Sequence, residues 1–104
     1  MSLILSQKHL KSFVAVADEG SVTRAAQELR YSQPAVSSHI AELERTMGVR
    51  LLVRSSGGMQ LTHAGQQVVD LVREILAELA LLEARVQRAL QTEARAGCRT
   101  RVGT

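Results

Sequence analysis

Residues 21–48 read SVTRAAQELRYSQPAVSSHIAELERTMG. Ser21 is a favourable N-cap, and Val22, Ala25, Ala26 and Leu29 follow at helical spacing, which predicts a short helix. The small alanines on its inner face let another helix approach closely. Arg30-Tyr31 makes a brief connection. Ser32 then caps a further helix with Pro34 in the first turn, where a missing N–H costs nothing. Val36, Ile40, Leu43 and Met47 form its apolar stripe, and Gly48 ends it.

Working outward, Leu10, Phe13, Val14 and Ala17 predict an earlier helix, with Ser6 as N-cap and Gly20 at its exit. On the other side the period changes. Leu51-Leu52-Val53 runs into Arg54, then Ser55-Ser56-Gly57-Gly58 supplies turn residues, and Met59-Gln60-Leu61 alternates, which predicts a small β-hairpin. Thr62 caps the next helix, and from His63 to about Ala94 the only breaker is Gly65 in the first turn. At about 1.5 Å per residue those positions extend about 48 Å, more than packing on so small a core requires. Val68, Val72, Ile75, Leu79, Leu82, Val86 and Ala89 repeat every 3.5 residues over three heptads, the spacing of a seam for a second helix. Val69, Leu71, Leu76, Leu81 and Leu90 widen that stripe, so the helix is expected to rest on its own domain as well. After Ala94 the apolar pattern stops and three arginines remain, which reads as a disordered tail.

The expected architecture is mainly α: a winged helix-turn-helix of three short helices plus a two-stranded β wing, followed by a long dimerisation helix. Its units are residues 1–62, 63–94 and 95–104. In this geometry the second helix of the pair can enter a DNA major groove with its N-terminal residues at base edges, and the hairpin can reach an adjacent phosphate strand.

Composition narrows the alternatives. A chain of 104 residues holds one core, so a site is built from that core or from pairing between chains. The net charge of +3 is unevenly spread: residues 1–60 carry +2, residues 61–94 carry −2 and residues 95–104 carry +3. Phe13 and Tyr31 are the only aromatics, so neither a base-stacking platform nor a large aromatic cofactor pocket is on offer. The single cysteine, Cys98, can make no intrachain disulfide, which suits a reducing compartment. The start MSLILSQKH lacks the pattern of a secretory signal, and no apolar run approaches transmembrane length. The expected location is therefore cytoplasmic. His9, His39 and His63 lie on different elements with no CxxC or HxxxH, so no metal site and no cofactor are expected. The acidic pairs Asp18-Glu19 and Glu42 with Glu44 point apart on their helices, and no catalytic constellation emerges.

Residues 9–65 resemble the amino-terminal DNA-binding domain of the LysR-type transcriptional regulator family. The resemblance rests on Phe13-Val14-Ala15-Val16-Ala17, Gly20-Ser21, Ala25-Ala26, Leu29, Ser32-Gln33-Pro34-Ala35, Leu43-Glu44, Gly48, Leu51-Leu52, Arg54 and Leu61-Thr62-x-Ala64-Gly65. It implies a bacterial regulator of nucleoid DNA, acting as a homodimer through the helix at residues 63–94. It implies that Gln33, Pro34, Ser37 and Ser38 stand at the groove-facing start of the recognition helix, where Gln33 suits an adenine edge and the Pro34 ring a thymine methyl. Ser32 caps that helix and can lend its N-terminus to a phosphate. Arg54 at the hairpin base is placed as a phosphate ligand, with Glu42 or Glu44 as its intramolecular alternatives. Thr23 and Arg24 can reach the backbone or stay solvated. Many relatives carry Arg where Ser38 stands and a basic wing tip where Gly57 stands, so two cations are missing from the expected interface. His39 can replace part of that charge if protonated, although a neutral, solvated ring is the ordinary state. The family usually continues into an effector-binding domain that senses a small molecule and assembles tetramers. No small-molecule effector is expected for this segment.

Overall fold

The computed structural model describes residues 5–96, so Cys98 and the expected basic tail from residue 97 onward lie outside the described residues. Four helices and one hairpin follow in the order α1 (Gln7–Glu19), α2 (Val22–Leu29), α3 (Gln33–Met47), β1 (Leu52–Ser55), β2 (Gly58–Leu61) and α4 (His63–Ala96). Helix boundaries follow local chemistry. The Ser21 hydroxyl accepts from the Arg24 N–H at 3.1 Å and Ser32 from Ala35 at 3.2 Å, each satisfying an amide that the helix start would leave orphaned. Thr62 does the same for Gly65 at 3.0 Å. Ser6 occupies the cap position of α1 with extended backbone, but its hydroxyl makes no cap bond. Between α2 and α3 the chain turns on Arg30, a non-glycine residue in the left-handed region at φ 61°.

The core joins Leu10, Phe13 and Val16 of α1 to Ala25 and Ala26 of α2, and to Val36, Ile40 and Leu43 of α3. Leu51 and Leu52 close it from the hairpin side, and Val69 and Val72 from α4. Phe13 has no exposed surface, and its truncation to Ala is the most costly single cavity available here, about 3–5 kcal/mol.

The hairpin is antiparallel with Leu52 opposite Leu61 and Ser55 opposite Gly58, so the turn itself is only Ser56-Gly57. Its position is fixed from two sides. The Met59 N–H donates to the Gly20 carbonyl at 3.0 Å, holding the wing against the turn between α1 and α2. At the other end the Glu44 carboxylate accepts from the N–H groups of Leu51 and Leu52 at 2.8 and 3.2 Å.

Helix α4 runs 34 residues, two beyond the expected end, and includes Arg95. Only its first turns rest on the domain. Val69 and Val72 are buried there, with Val68 and Leu76 packed against them. The expected seam is corrected at its start: Val72 lies inside the chain's own core and Val68 beside it, because the domain-facing stripe and the seam overlap over these turns. Beyond them Ile75, Leu82 and Val86 stand 47, 54 and 47% exposed. Asp18 of α1 pairs with Arg73 at 2.7 Å and ties the base of α4 down.

Candidate nucleic-acid interface

Helix α3 buries Val36, Ile40 and Leu43 and turns Gln33, Pro34, Ser37 and Ser38 outward. Its first turn is set by the Ser32 cap and the fixed φ of Pro34, so Gln33 stands at the exposed tip of the helix. A cleft beside this tip is lined by Ser21, Thr23, Arg24, Gln33, Arg54 and Gly58. Three elements meet there: the N-terminus of α2, the N-terminus of α3 and the hairpin. A second cleft, along the flank of α3, brings Ser37 together with Arg50 and Arg54.

Arg54 is exposed at the hairpin base. Both carboxylates expected as its alternatives are engaged elsewhere, Glu42 by Arg45 and Glu44 by Arg50. Among the described residues Arg54 forms no ion pair. With Arg24 it makes the cleft cationic and suited to an oxyanion.

The structure therefore gathers Thr23, Arg24, Gln33 and Arg54 around one cleft and joins Ser37 to Arg54 in the next. Ser32, Pro34 and Ser38 are exposed on the same end of α3. His39 does not join them. Its ring is half-buried toward α1, with Nδ1 2.7 Å from the hydroxyl of the fully buried Ser12. His9 lies at a ring-centroid distance of 5.1 Å, and Tyr31 meets His39 edge-on at 5.2 Å. Burial, then the neighbouring His9 and Lys8, hold the His39 pKa below its ordinary value. The expectation of a solvated ring on the groove face is thus corrected: the His39 ring packs toward α1, and that burial disfavours its charged form.

Two groups of residues escaped sequence reasoning. Arg50 lines the flank of α3 while pairing with Glu44 and donating to the Leu52 carbonyl at 3.3 Å. Lys8 and Lys11 share a cleft with Ser6, Gln7 and Tyr31 beside the other side of the α2–α3 connection. The spacing of Lys8 and Lys11 by one helical turn was the available signal.

Residues 7–66 match the family described as bacterial regulatory helix-turn-helix protein, lysR family. The small neutral protease regulatory protein of Streptomyces coelicolor is 35% identical over 93% of this chain and 31% of its own length. The HTH-type transcriptional regulator PcaQ of Agrobacterium fabrum is 42% identical over 92% of this chain and 30% of its own. The chain thus spans about a third of the length of these curated relatives. The crystal structure of the CbnR DNA-binding domain in complex with DNA superposes with a TM-score of 0.72 at 39% identity, over 84% of this chain and 99% of that one. With the cap residues, the wing and the long helix all in place, the chain belongs to the LysR family of bacterial helix-turn-helix regulators.

Proposed function

We propose that this chain is a sequence-specific, double-stranded DNA-binding module of a transcriptional regulator, reading the major groove with α3 and the flanking phosphates with the hairpin. The observation that carries this reading is the arrangement at the tip of α3, where the exposed amide of Gln33 shares a cleft with Arg24 and Arg54 and the exposed hydroxyl of Ser37 shares the next one with Arg54. Amides and hydroxyls discriminate base edges, whereas guanidinium groups hold phosphate without regard to sequence. The relative solved on DNA has this fold, which supports the assignment. A regulator rather than an enzyme fits both relatives and site, and such a regulator acts in the cytoplasm on the nucleoid.

The chain works as a homodimer in this reading, with Ile75, Leu79, Leu82 and Val86 of α4 meeting their counterparts. Two recognition helices then face the duplex at a separation of whole helical turns, so the site is an approximate palindrome. Selection of bound sequences from a random duplex pool tests both claims, because the enriched motif reports the half-site and the spacing together.

Division of labour between residues has its own test. Gln33→Ala is expected to relax preference at one base position at a cost of about 1–3 kcal/mol, while Arg54→Ala weakens all sequences alike and lowers the salt slope by about 1. Titrations on the selected site and on a scrambled duplex measure this. Equal losses for both variants on both duplexes would refute the assignment.

A further inference from the structure

The wing-side cleft accounts for only one flank of α3. A helix lying in the major groove has a phosphate strand on each side. The cleft formed by Ser6, Gln7, Lys8, Lys11 and Tyr31 adjoins the same end of α3, because Tyr31 immediately precedes the Ser32 cap. It shares no lining residue with the wing-side cleft. We propose that this second cleft is a proton-linked phosphate site, in which Lys8, Lys11 and Tyr31 take a DNA backbone phosphate while His39, stacked beside His9, takes up a proton. The inference rests on the DNA-binding reading above and adds to it a named site and a pH response.

Several independent features converge there. Ser6 leaves the start of α1 without a side-chain cap, so its first N–H groups add positive potential beside the two lysines. Among the described residues no carboxylate lines the cleft. The groups facing His39 are Lys8, His9 and the Ser12 hydroxyl from α1 and Tyr31 from the connection. One turn further on α3, the Glu42 carboxylate is engaged by Arg45. The Ser12 bond fixes the His39 ring against His9 and holds the pair in place. Unbound, this cluster has cations and, among the described residues, no counter-charge, and His39 is disfavoured as a cation. A phosphate supplies negative charge that offsets the repulsion from Lys8 and so raises the His39 pKa in the complex. The sign follows. A histidine whose pKa is higher in the complex than in the free protein stabilises the complex fully below its free pKa, and that contribution is lost as pH rises through the bound pKa. The site also restores, on the opposite flank, charge that Ser38 does not provide.

The test is the affinity of the full chain for its selected duplex, by fluorescence anisotropy at fixed ionic strength, from about pH 8 down to about pH 5.5. Affinity is expected to rise on acidification, approaching about tenfold per pH unit for one proton. His39→Gln abolishes or flattens the rise. Lys8→Gln with Lys11→Gln lowers the salt slope by about 2 on every sequence. Histidine ring resonances of the unaltered protein provide a check that needs no substitution: the titration of His39 moves to higher pH on adding duplex. A flat or falling affinity, an undiminished rise in His39→Gln, or an unmoved His39 titration overturns the proposal while leaving DNA binding intact. Failure to bind DNA at any pH overturns the earlier reading and this one with it.

Discussion

Gly65 stands in the first turn of α4, where alanine would ordinarily be the better helix former by about 1 kcal/mol. Its surroundings reverse that preference. A Cβ at this position falls on the carbonyl oxygen of Leu51, closer than real contacts allow, and 3.0 Å from Leu61 Cδ2. The backbone oxygen cannot step aside, since it accepts the Thr62 N–H at 2.9 Å. Gly65→Ala is expected to destabilise by about 1–3 kcal/mol in urea denaturation, and an equally stable or more stable variant would contradict the packing described. Gly58 is constrained for a similar reason, with φ 112° and a Cβ there falling on the Gly20 carbonyl oxygen. His39 gives a second prediction at this scale. Because its folded pKa lies below the ordinary value, the unfolded chain binds more protons. Its contribution to folding is therefore complete above the ordinary histidine pKa, and is lost as pH falls through that value toward the lower folded one. Thermal melts of the free protein should show less of this acid sensitivity in His39→Gln. Folding and DNA binding thus respond to acid with opposite signs, so the two effects are separable in one protein.

At the level of elements, the junction of α3 with the hairpin depends on one carboxylate. Glu44 reaches across from α3 to the N–H groups of Leu51 and Leu52 and pairs with Arg50 at 3.4 Å. Removing it leaves two part-buried donors without partners, so Glu44→Ala should cost about 2–3 kcal/mol, and Glu44→Gln, which keeps an acceptor, should recover part. The loss is read by thermal or urea unfolding, and an Ala variant as stable as the Gln variant would show that solvent replaces the carboxylate freely. Helix limits were legible beforehand because serine caps, Pro34 and the exits at Gly20 and Gly48 act over one turn of chain. Glu44 was not legible as a hairpin anchor. Its partners lie seven and eight residues ahead, and only the folded path of Gly48–Arg50 brings them back. The same limit governed Arg54, for which the sequence offered two acids; Arg45 and Arg50 take them, a competition visible only in three dimensions. The turn was drawn as four residues from composition, while backbone pairing extends through Ser55 and Gly58 and leaves Ser56-Gly57.

Across the whole molecule, α4 sets the longest dimension, 59 Å, and carries the apolar residues with least cover. Its apolar pattern encodes two contacts at once. Val69, Val72 and Leu76 recur at i, i+3 and i+7 and meet the chain's own domain, whereas Ile75, Leu79, Leu82 and Val86 continue along an adjacent stripe. Periodicity alone cannot say which partner covers Val68 and Val72, and burial assigns both to the domain. That division predicts different failures for similar substitutions. Ile75→Asp with Leu79→Asp places two charges where a second copy would pack, so sedimentation should shift from dimer to monomer while circular dichroism still reports a folded, helical domain. Val72→Asp buries a charge in the domain itself, where the cost of desolvation falls on folding, and should lower the melting temperature rather than only dissociate the pair. Affinity for a full palindrome should fall steeply in the double variant, while affinity for an isolated half-site changes little, because each α3 tip stays intact and only the linkage of two tips is lost. An unchanged sedimentation profile for the double variant would remove α4 as the pairing helix. Loss of half-site binding in that variant would instead mean that the reading tip depends on the second copy for its own shape.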